Sequence, residues 1–333
     1  MKKILGIGNA LTDILLKISE NQLTQLTVNK GSMQLVDGNT SKRITTLFQS
    51  STPAIVAGGS TSNTICGLAS LGADAAFLGK IGNDQLGKVY EQQMRESGVK
   101  PLLHVDEFLG SGNCTVLVTP DGERTMCTYL GAACNLQPRD INPEVFNDYH
   151  ILHLEGYLVQ NHQLIEKAMK QAHEARLIVS IDLASYNTVY DEWDFMTHLI
   201  RNYVDIVFAN ELEAKAIART EDPHEALQYT YGLLKQKHNT PKISIVKLGS
   251  EGSLALSDEG KNIIEPVKAP CVDSTGAGDL YAAGFLYGIA NKMPVYKCGK
   301  YASLVASKVI QVMGSKIPTP AYGEILQNID LKI

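Results

Sequence analysis

The stretch CVDSTGAGDLYAAGFLYGIA, Cys271 to Ala290, is the sharpest local signal in the chain. A strand-like entry meets Gly276-Ala277-Gly278-Asp279. A helix follows in which Leu280, Ala282, Ala283, Gly284, Phe285 and Leu286 leave almost no polar face. A helix apolar all round is a buried one. Its first turn carries free N–H groups and the positive end of the helix dipole. The glycines let the backbone come close to a ligand, so the turn reads as an anion site. Asp279 stands where the anion belongs. It is either an N-cap or a general base beside a phosphoryl group in transfer. Phosphoryl transfer asks little basicity of its base, so a carboxylate with a low pKa at a helix start suffices.

Outward from this turn, strand and helix signals alternate. KKILGIG (Lys2 to Gly8) reads as a buried strand, and small and apolar residues recur at helical spacing from Thr61 to Leu71. AAFLGKIG precedes a helix from Asp84 to Ser97. After Pro138 come ILHLEG, a helix near Gln163 to Ala175, LIVSIDLA, a helix near Asp191 to Asn202, and DIVFAN. Helices from Glu211 and from Pro223 to Lys237 lead to KISIVKLGS and a strand pair around Gly252 to Glu265. This alternation predicts βαβ units and a mostly parallel sheet, an α/β fold. Two groups of half-exposed strands lack intervening helices in this reading. They are DILLKIS with SMQLVDG, and the hairpin Asn113 to Gly131 with Pro120-Asp121-Gly122 at its turn. Together they predict a small discontinuous β-sheet lid, residues 11–53 with 108–133. The body is then 1–10, 54–107 and 134–333.

The chain has 333 residues, 44% of them hydrophobic and 20% charged, so it can bury a sizeable core without staples. The formal charge of −5 leaves no electrostatic footprint for nucleic acid or an anionic membrane. The six cysteines form no C-x-x-C pair and read as buried free thiols of a cytoplasmic protein. The apolar stretch after Lys3 is broken by Asn9, Thr12 and Asp13, so it reads as a first strand and not as a signal peptide. No segment reaches the ~18 consecutive apolar residues of a membrane span.

Two rival phosphate motifs fail. GNDQLGK, Gly82 to Lys88, fits the start of a Walker A loop, but Val89 stands where the Mg²⁺-binding hydroxyl is needed. GIGNAL at Gly6 has Leu11 in place of the third glycine of a dinucleotide fingerprint, which disfavours a Rossmann dehydrogenase.

The residues resemble the ribokinase (PfkB) family of carbohydrate kinases. DSTGAGDLYAAGF looks like that family's C-terminal signature, with Ser274 in place of the usual Thr. Ala57 to Gly87 looks like its N-terminal signature, NELE (Asn210 to Glu213) like its N-x-x-E motif, and KLGSEGS (Lys247 to Ser253) like its nucleotide-binding turn. The four pieces stand in register over nearly the whole chain. The resemblance implies a ribokinase-like three-layer sandwich and an ATP-dependent phosphotransferase acting on a hydroxymethyl group. Asp279 would be the base, and the backbone of Gly276, Ala277, Gly278 and Asp279 the anion hole. Glu213 would position Mg²⁺ through water, and Asp273 would sit near a monovalent cation such as K⁺. Asn210, Lys247, Gly249 and Gly252 would line the nucleotide, and Arg124 would reach over the phosphates or simply stay solvated. The helix from Pro294 to Met313 would flank the adenine.

Asn9, Asp13, Gly58, Gly59 and Asn63 would hold the acceptor's hydroxyls. The spacing in GNALTD, and Ser60 where many sugar kinases carry Lys, resemble the adenosine-kinase subgroup. Glu155 in HLEGY resembles instead the acidic sugar contact of ribokinase-like members. Tyr157 is either a nucleobase stacker or a core aromatic. A nucleoside such as adenosine leads, ahead of a free sugar of the ribose, fructose or 2-keto-3-deoxygluconate type. A non-catalytic nucleotide or sugar sensor on the same fold is the alternative of another class. Exposed lid strands need cover, which leaves monomer and homodimer both open.

Overall fold

The computed structural model describes residues 2–26, 28–47, 54–121, 123–234 and 240–332. Its strands are β1 (Ile4–Ile7), β2 (Leu11–Lys17), β3 (Met33–Leu35), β4 (Ala54–Gly58), β5 (Ala75–Gly82), β6 (Lys100–Asp106) and β7 (Gly112–Val118). The rest are β8 (Arg124–Tyr129), β9 (Ile151–Glu155), β10 (Ile178–Asp182), β11 (Ile206–Asn210), β12 (Ile243–Lys247), β13 (Ser253–Ser257) and β14 (Gly260–Ile264). The helices begin with α1 (Glu20–Gln25), α2 (Gly38–Leu47), α3 (Ser60–Ser70), α4 (Gln85–Glu96), α5 (His162–Glu174) and α6 (Tyr186–Asp191). They continue with α7 (Trp193–Asn202), α8 (Glu211–Ala218), α9 (Pro223–Leu233), α10 (Ala277–Ala290), α11 (Val295–Val309) and α12 (Thr319–Lys332).

Nine strands form one sheet in the order β14-β13-β12-β11-β10-β9-β1-β5-β6. All neighbours from β12 to β6 run parallel, and only β13 and β14 are antiparallel. The parallel strands read as unbroken apolar runs because both faces are covered. Ile4, Phe77, Ile151 and Phe208 face α3, α10 and α11, while Leu5, Leu78, Leu152 and Val207 face α5, α7 and α8. This is the three-layer α/β body. The helix read as buried, α10, lies deep in it. It approaches α11 closely because a side chain at Gly284 would strike Ala302 and one at Gly288 would strike Cys298. No helix among the described residues is long and apolar enough to cross a membrane.

Five strands make the smaller sheet, in the order β3-β8-β7-β2-β4. Three details correct the sequence reading. β4, assigned to the body from residue 54, pairs with β2 instead: Asp13 opposes Val56 and Leu11 opposes Gly58. The lid also contains helices α1 and α2. Ser19 and Gln22 close a capping box on α1. Leu23, Leu26 and Ile44 from this region pack on Ile14, Leu16 and Leu117 of the sheet, a small second core. Cys134 and Cys271 are exposed, and the other four thiols are buried. Gly122 of the hairpin turn, residues 48–53 of the lid boundary and Lys237 of the expected helix end lie outside the described residues.

Candidate active site

Parallel strands place their following residues on one edge, and ligands of open α/β sheets bind there. Five neighbouring strands deliver polar residues to that edge. They are Asn9 just past β1, Glu155 ending β9, Asp182 ending β10, Asn210 ending β11 and Lys247 ending β12. A cavity of about 950 Å³ opens above them. Asp182, Asn210, Glu213, Lys247, Gly278 and Asp279 form its polar end. Pro266, Val267, Ala306 and Ile310 form an apolar wall, and Gly249 and Gly252 also line it.

Asp279 is the third residue of α10, whose N-cap is Gly276. The cap reading of Asp279 therefore fails. Its carboxylate leaves its own helix and accepts Ser60 Oγ at 2.7 Å and Asn63 Nδ2 at 2.9 Å. Burial pushes its pKa up to about 6, against the pull of the Asn63 and Ser60 donors. The low pKa expected from the helix end is thus reversed, because desolvation outweighs the dipole. Gly276 has φ of +77°, and a side chain there would meet Ser315 Cβ at 2.6 Å. This turn needs glycine. The Ala277 N–H is spent on the Ser274 carbonyl at 3.1 Å, which removes it from the expected anion hole. Gly276, Gly278 and Asp279 supply the remaining N–H groups of the turn. Lys247 stands beside them: its ammonium lies 3.1 Å from where a Gly278 side chain would begin.

Lys247 Nζ donates to Asp182 Oδ2 at 2.6 Å. Asp182, Glu213 and Asp279 surround this one ammonium, an excess of negative charge. Glu213 is pushed up to about 7 by burial and by the Asp182 charge. Both its oxygens bond back to Asn210, Oε2 to the N–H at 2.8 Å and Oε1 to the side-chain amide at 2.6 Å, a capping box opening α8. No three His, Cys, Asp or Glu side chains among the described residues converge into a metal site. Asp182 and Glu213 are the carboxylates that fit a divalent ion held through water, since such an ion would relieve the charge excess.

Residues 32–321 match the pfkB family carbohydrate kinase. The chain belongs to that family. A pfkB kinase uses ATP, so the protein is an ATP-dependent kinase. The crystal structure of adenosine kinase from Sinorhizobium meliloti superposes with a TM-score of 0.85 at 32% identity, over 98% of this chain and 99% of that one. A probable sugar kinase from Rhizobium etli CFN 42 superposes with a TM-score of 0.86 at 31% identity, over 98% and 99%. The 5-dehydro-2-deoxygluconokinase of Bacillus subtilis (strain 168) is 26% identical over 294 residues, 82% of this chain and 86% of that protein.

The kinase uses several of the expected acceptor residues to build itself. Glu155 is fully enclosed: Oε1 accepts the Asn9 N–H at 3.0 Å and Asn9 Nδ2 at 2.8 Å, and Oε2 accepts the Thr61 N–H at 2.9 Å. It therefore joins β1, β9 and α3 instead of meeting a sugar, and it takes the Asn9 amide with it. Asn63 gives Nδ2 to Asp279 and receives Ser315 Oγ on Oδ1 at 2.9 Å, so it aims the base. Gly59 has φ of +94°, and a side chain there would lie 2.5 Å from the Asn9 carbonyl. Gly58 packs directly on the Asp13 carboxylate, leaving no room for a Cβ. Asp13 is pushed up to about 7 by burial and by the Asp279 charge, which sets the two carboxylates near each other. Tyr157 lines the cavity, its OH donating to the Ala184 carbonyl at 3.3 Å.

Arg124 is neither solvated nor on the cavity wall. It reaches Thr275 Oγ1 at 2.7 Å and Asp273 Oδ2 at 2.9 Å. Asp273 does not fit a monovalent cation, because donors already surround its carboxylate: Thr275 N–H and Oγ1, Gly314 N–H and Arg124. The sequence reading missed Asp182, Ser60 as a partner of the base, and Ser315. Asp182 ends LIVSIDLA as Glu155 ends ILHLE, and that shared strand-end position was the available signal.

Proposed function

We propose that the protein transfers the γ-phosphoryl group of ATP to the hydroxymethyl group of a nucleoside, with adenosine the first candidate. The observation that carries the chemistry is a half-buried carboxylate, Asp279, held by two donors at the mouth of a glycine-turned helix N-terminus. ATP fits the 950 Å³ cavity with its base against Val267, Ala306 and Ile310 and its phosphates toward Lys247 and Gly278. The acceptor oxygen attacks phosphorus as the bond to the β-phosphate oxygen breaks, and its proton passes to Asp279. A pKa near 6 leaves Asp279 ionised at neutral pH and well matched to that task. The N–H groups of the turn and the Lys247 ammonium meet the charge on the transferring oxygens. Mg²⁺, held through water from Asp182 and Glu213, would neutralise part of the triphosphate charge.

The substrate class is argued from the small sheet. Alternation puts Leu11, Asp13 and Leu15 of β2 on one face. Register adds Val56, Cys114 and Thr128 in the Asp13 row, and Ala54, Val116, Met126 and Met33 in the Leu15 row. Over these two rows the face is apolar apart from Asp13 and Thr128, and the row beyond them carries Lys17, Val118 and Arg124. Asn9, Glu155 and Asn63, three of the expected hydroxyl contacts, are committed elsewhere. One carboxylate on an apolar face suits a ribose joined to a flat base.

A sugar acid is the second reading. Lys316 lines a neighbouring cavity of about 560 Å³ that shares Asn63 with the first, and its charge acts on Asp13. A cation there suits a substrate carboxylate, and the Bacillus subtilis relative is named for a sugar-acid kinase. ADP release with Mg-ATP, measured over adenosine, other ribonucleosides, ribose, fructose and 2-keto-3-deoxygluconate, separates the two. Turnover on adenosine is expected, and Asp279→Asn abolishes it with ATP binding kept. Turnover confined to the sugar acid would replace the nucleoside reading. ATP binding with no turnover on any acceptor would favour a sensor.

A further inference from the structure

Arg124 opens β8 in the small sheet, yet its guanidinium ends in the body. Nη1 donates to Thr275 Oγ1 at 2.7 Å, and Nη2 pairs with Asp273 Oδ2 at 2.9 Å. Asp273 Oδ1 also accepts the Thr275 N–H at 3.0 Å and its hydroxyl at 2.8 Å, and Oδ2 accepts the Gly314 N–H at 2.6 Å. A carboxylate offers about four lone-pair sites, and four donors fill them. Burial pushes the Asp273 carboxyl up, but these donors and the Arg124 charge outweigh it and hold it below its ordinary value. Asp273 is therefore an ionised group in a tight turn, and Arg124 is the cation paired with it. Thr275, gripped by the same guanidinium, immediately precedes Gly276, whose left-handed φ aims the anion-binding turn.

We propose that Arg124 supplies at Asp273 the positive charge a K⁺ ion would supply, so that closure of the small sheet, and not a monovalent cation, sets the turn that receives the phosphate. Arg124 is a positioning residue in this scheme. It acts through Asp273 and Thr275 and does not touch the reacting atoms. A guanidinium is permanently charged, and its planar fork satisfies a carboxylate and a hydroxyl at once. It also arrives with the sheet. When the sheet lifts to admit substrate, Asp273 loses its cation and the turn loses its brace. The phosphate site is then complete only when water is shut out, which guards ATP against hydrolysis.

The inference rests on the kinase reading for its meaning, but one arm of its test needs no turnover. Tl⁺ binding, followed by thallium NMR, reports a K⁺-type site directly. The wild-type protein is expected to show no saturable Tl⁺ binding in the millimolar range. Its turnover is expected to be the same in K⁺ as in tetramethylammonium at equal ionic strength. Arg124→Gln, which leaves the Asp273 charge unpaired, is expected to gain Tl⁺ binding and an activation by K⁺ of at least about fivefold, in kcat rather than in KM. Arg124→Lys keeps the charge and is expected to stay cation-independent. Saturable Tl⁺ binding by the wild type, or its activation by K⁺, overturns the proposal. So does a folded Arg124→Gln protein that neither binds Tl⁺ nor responds to K⁺. If no acceptor is turned over, the kinase reading falls while the Tl⁺ comparison still decides the role of Arg124.

Discussion

Removing one oxygen from Ser60 tests how the base is tuned. Ser60 Oγ donates to Asp279 Oδ1 at 2.7 Å, and that bond favours the ionised form. In the wild type, burial pushes Asp279 up to about 6, while Asn63 and Ser60 hold it from rising further. A hydrogen bond to a charged acceptor is worth ~1.5–3 kcal/mol, and each pH unit corresponds to about 1.36 kcal/mol. Ser60→Ala should therefore move the acid limb of kcat/KM upward by roughly one to two pH units. A water entering the vacated space would bring the shift to the lower end. The assay is coupled ADP release at limiting acceptor and saturating Mg-ATP, because kcat/KM reports the free enzyme's base. The alkaline plateau should change far less than the rate near neutrality. An acid limb that stays in place or moves downward would refute the assignment of Asp279 as a base tuned by Ser60.

Glu155→Ala leaves the Asn9 N–H, the Asn9 amide and the Thr61 N–H without their buried acceptor, at ~1–3 kcal/mol each. A stability loss of about 3 kcal/mol or more in guanidinium unfolding is expected, since relief of the buried charge offsets only part. A Glu155→Gln protein of native stability with a strongly raised acceptor KM would restore Glu155 as a substrate contact. Stability itself should depend on pH through the raised carboxyls, among them Asp13, Glu213 and Asp279. Asp13, near 7, and Asp279, near 6, have folded pKa values above the ordinary 3.8. Their contribution is complete below about pH 4 and is lost as pH rises through 6 and 7. Asp13→Asn should flatten that part of the stability curve, and an unchanged slope in urea unfolding would count against it.

The parallel body was legible because both of its sheet faces are covered, so each strand reads as an apolar run between helices. The glycine turn was legible for the same local reason. The lid helices were harder. Their apolar residues number only a few, and the Ser19/Gln22 capping box is a short motif that gains meaning only when Leu23 finds Ile14. Side-chain direction was the larger gap. Asn9, Asn63 and Glu155 are residue types that bind sugars, and they do stand around the expected place. Sequence does not say whether such groups point at a ligand or at a neighbouring backbone, and here the neighbours take them. The pKa of Asp279 was misjudged because the helix dipole is visible in a sequence, whereas the cover that α3 and its own turn give one carboxylate is not.

The three bonds that aim the base also fix when it can be aimed. Asp279 is held by Asn63, and Asn63 is held by Ser315, which lies 252 residues further along the chain. During synthesis the sheet and α3 can assemble long before Ser315 leaves the ribosome. Until then, nothing holds the far side of the Asn63 amide, and Gly276 lacks the Ser315 surface against which it packs. Loops closed over such separations cost entropy that only late contacts recover. The growing chain should therefore pass through a stage with the sheet and α3 formed and the carboxylate still unaimed, and the nucleotide pocket, which takes Ala306 and Ile310 from the same late stretch, is completed at almost the same moment as the base.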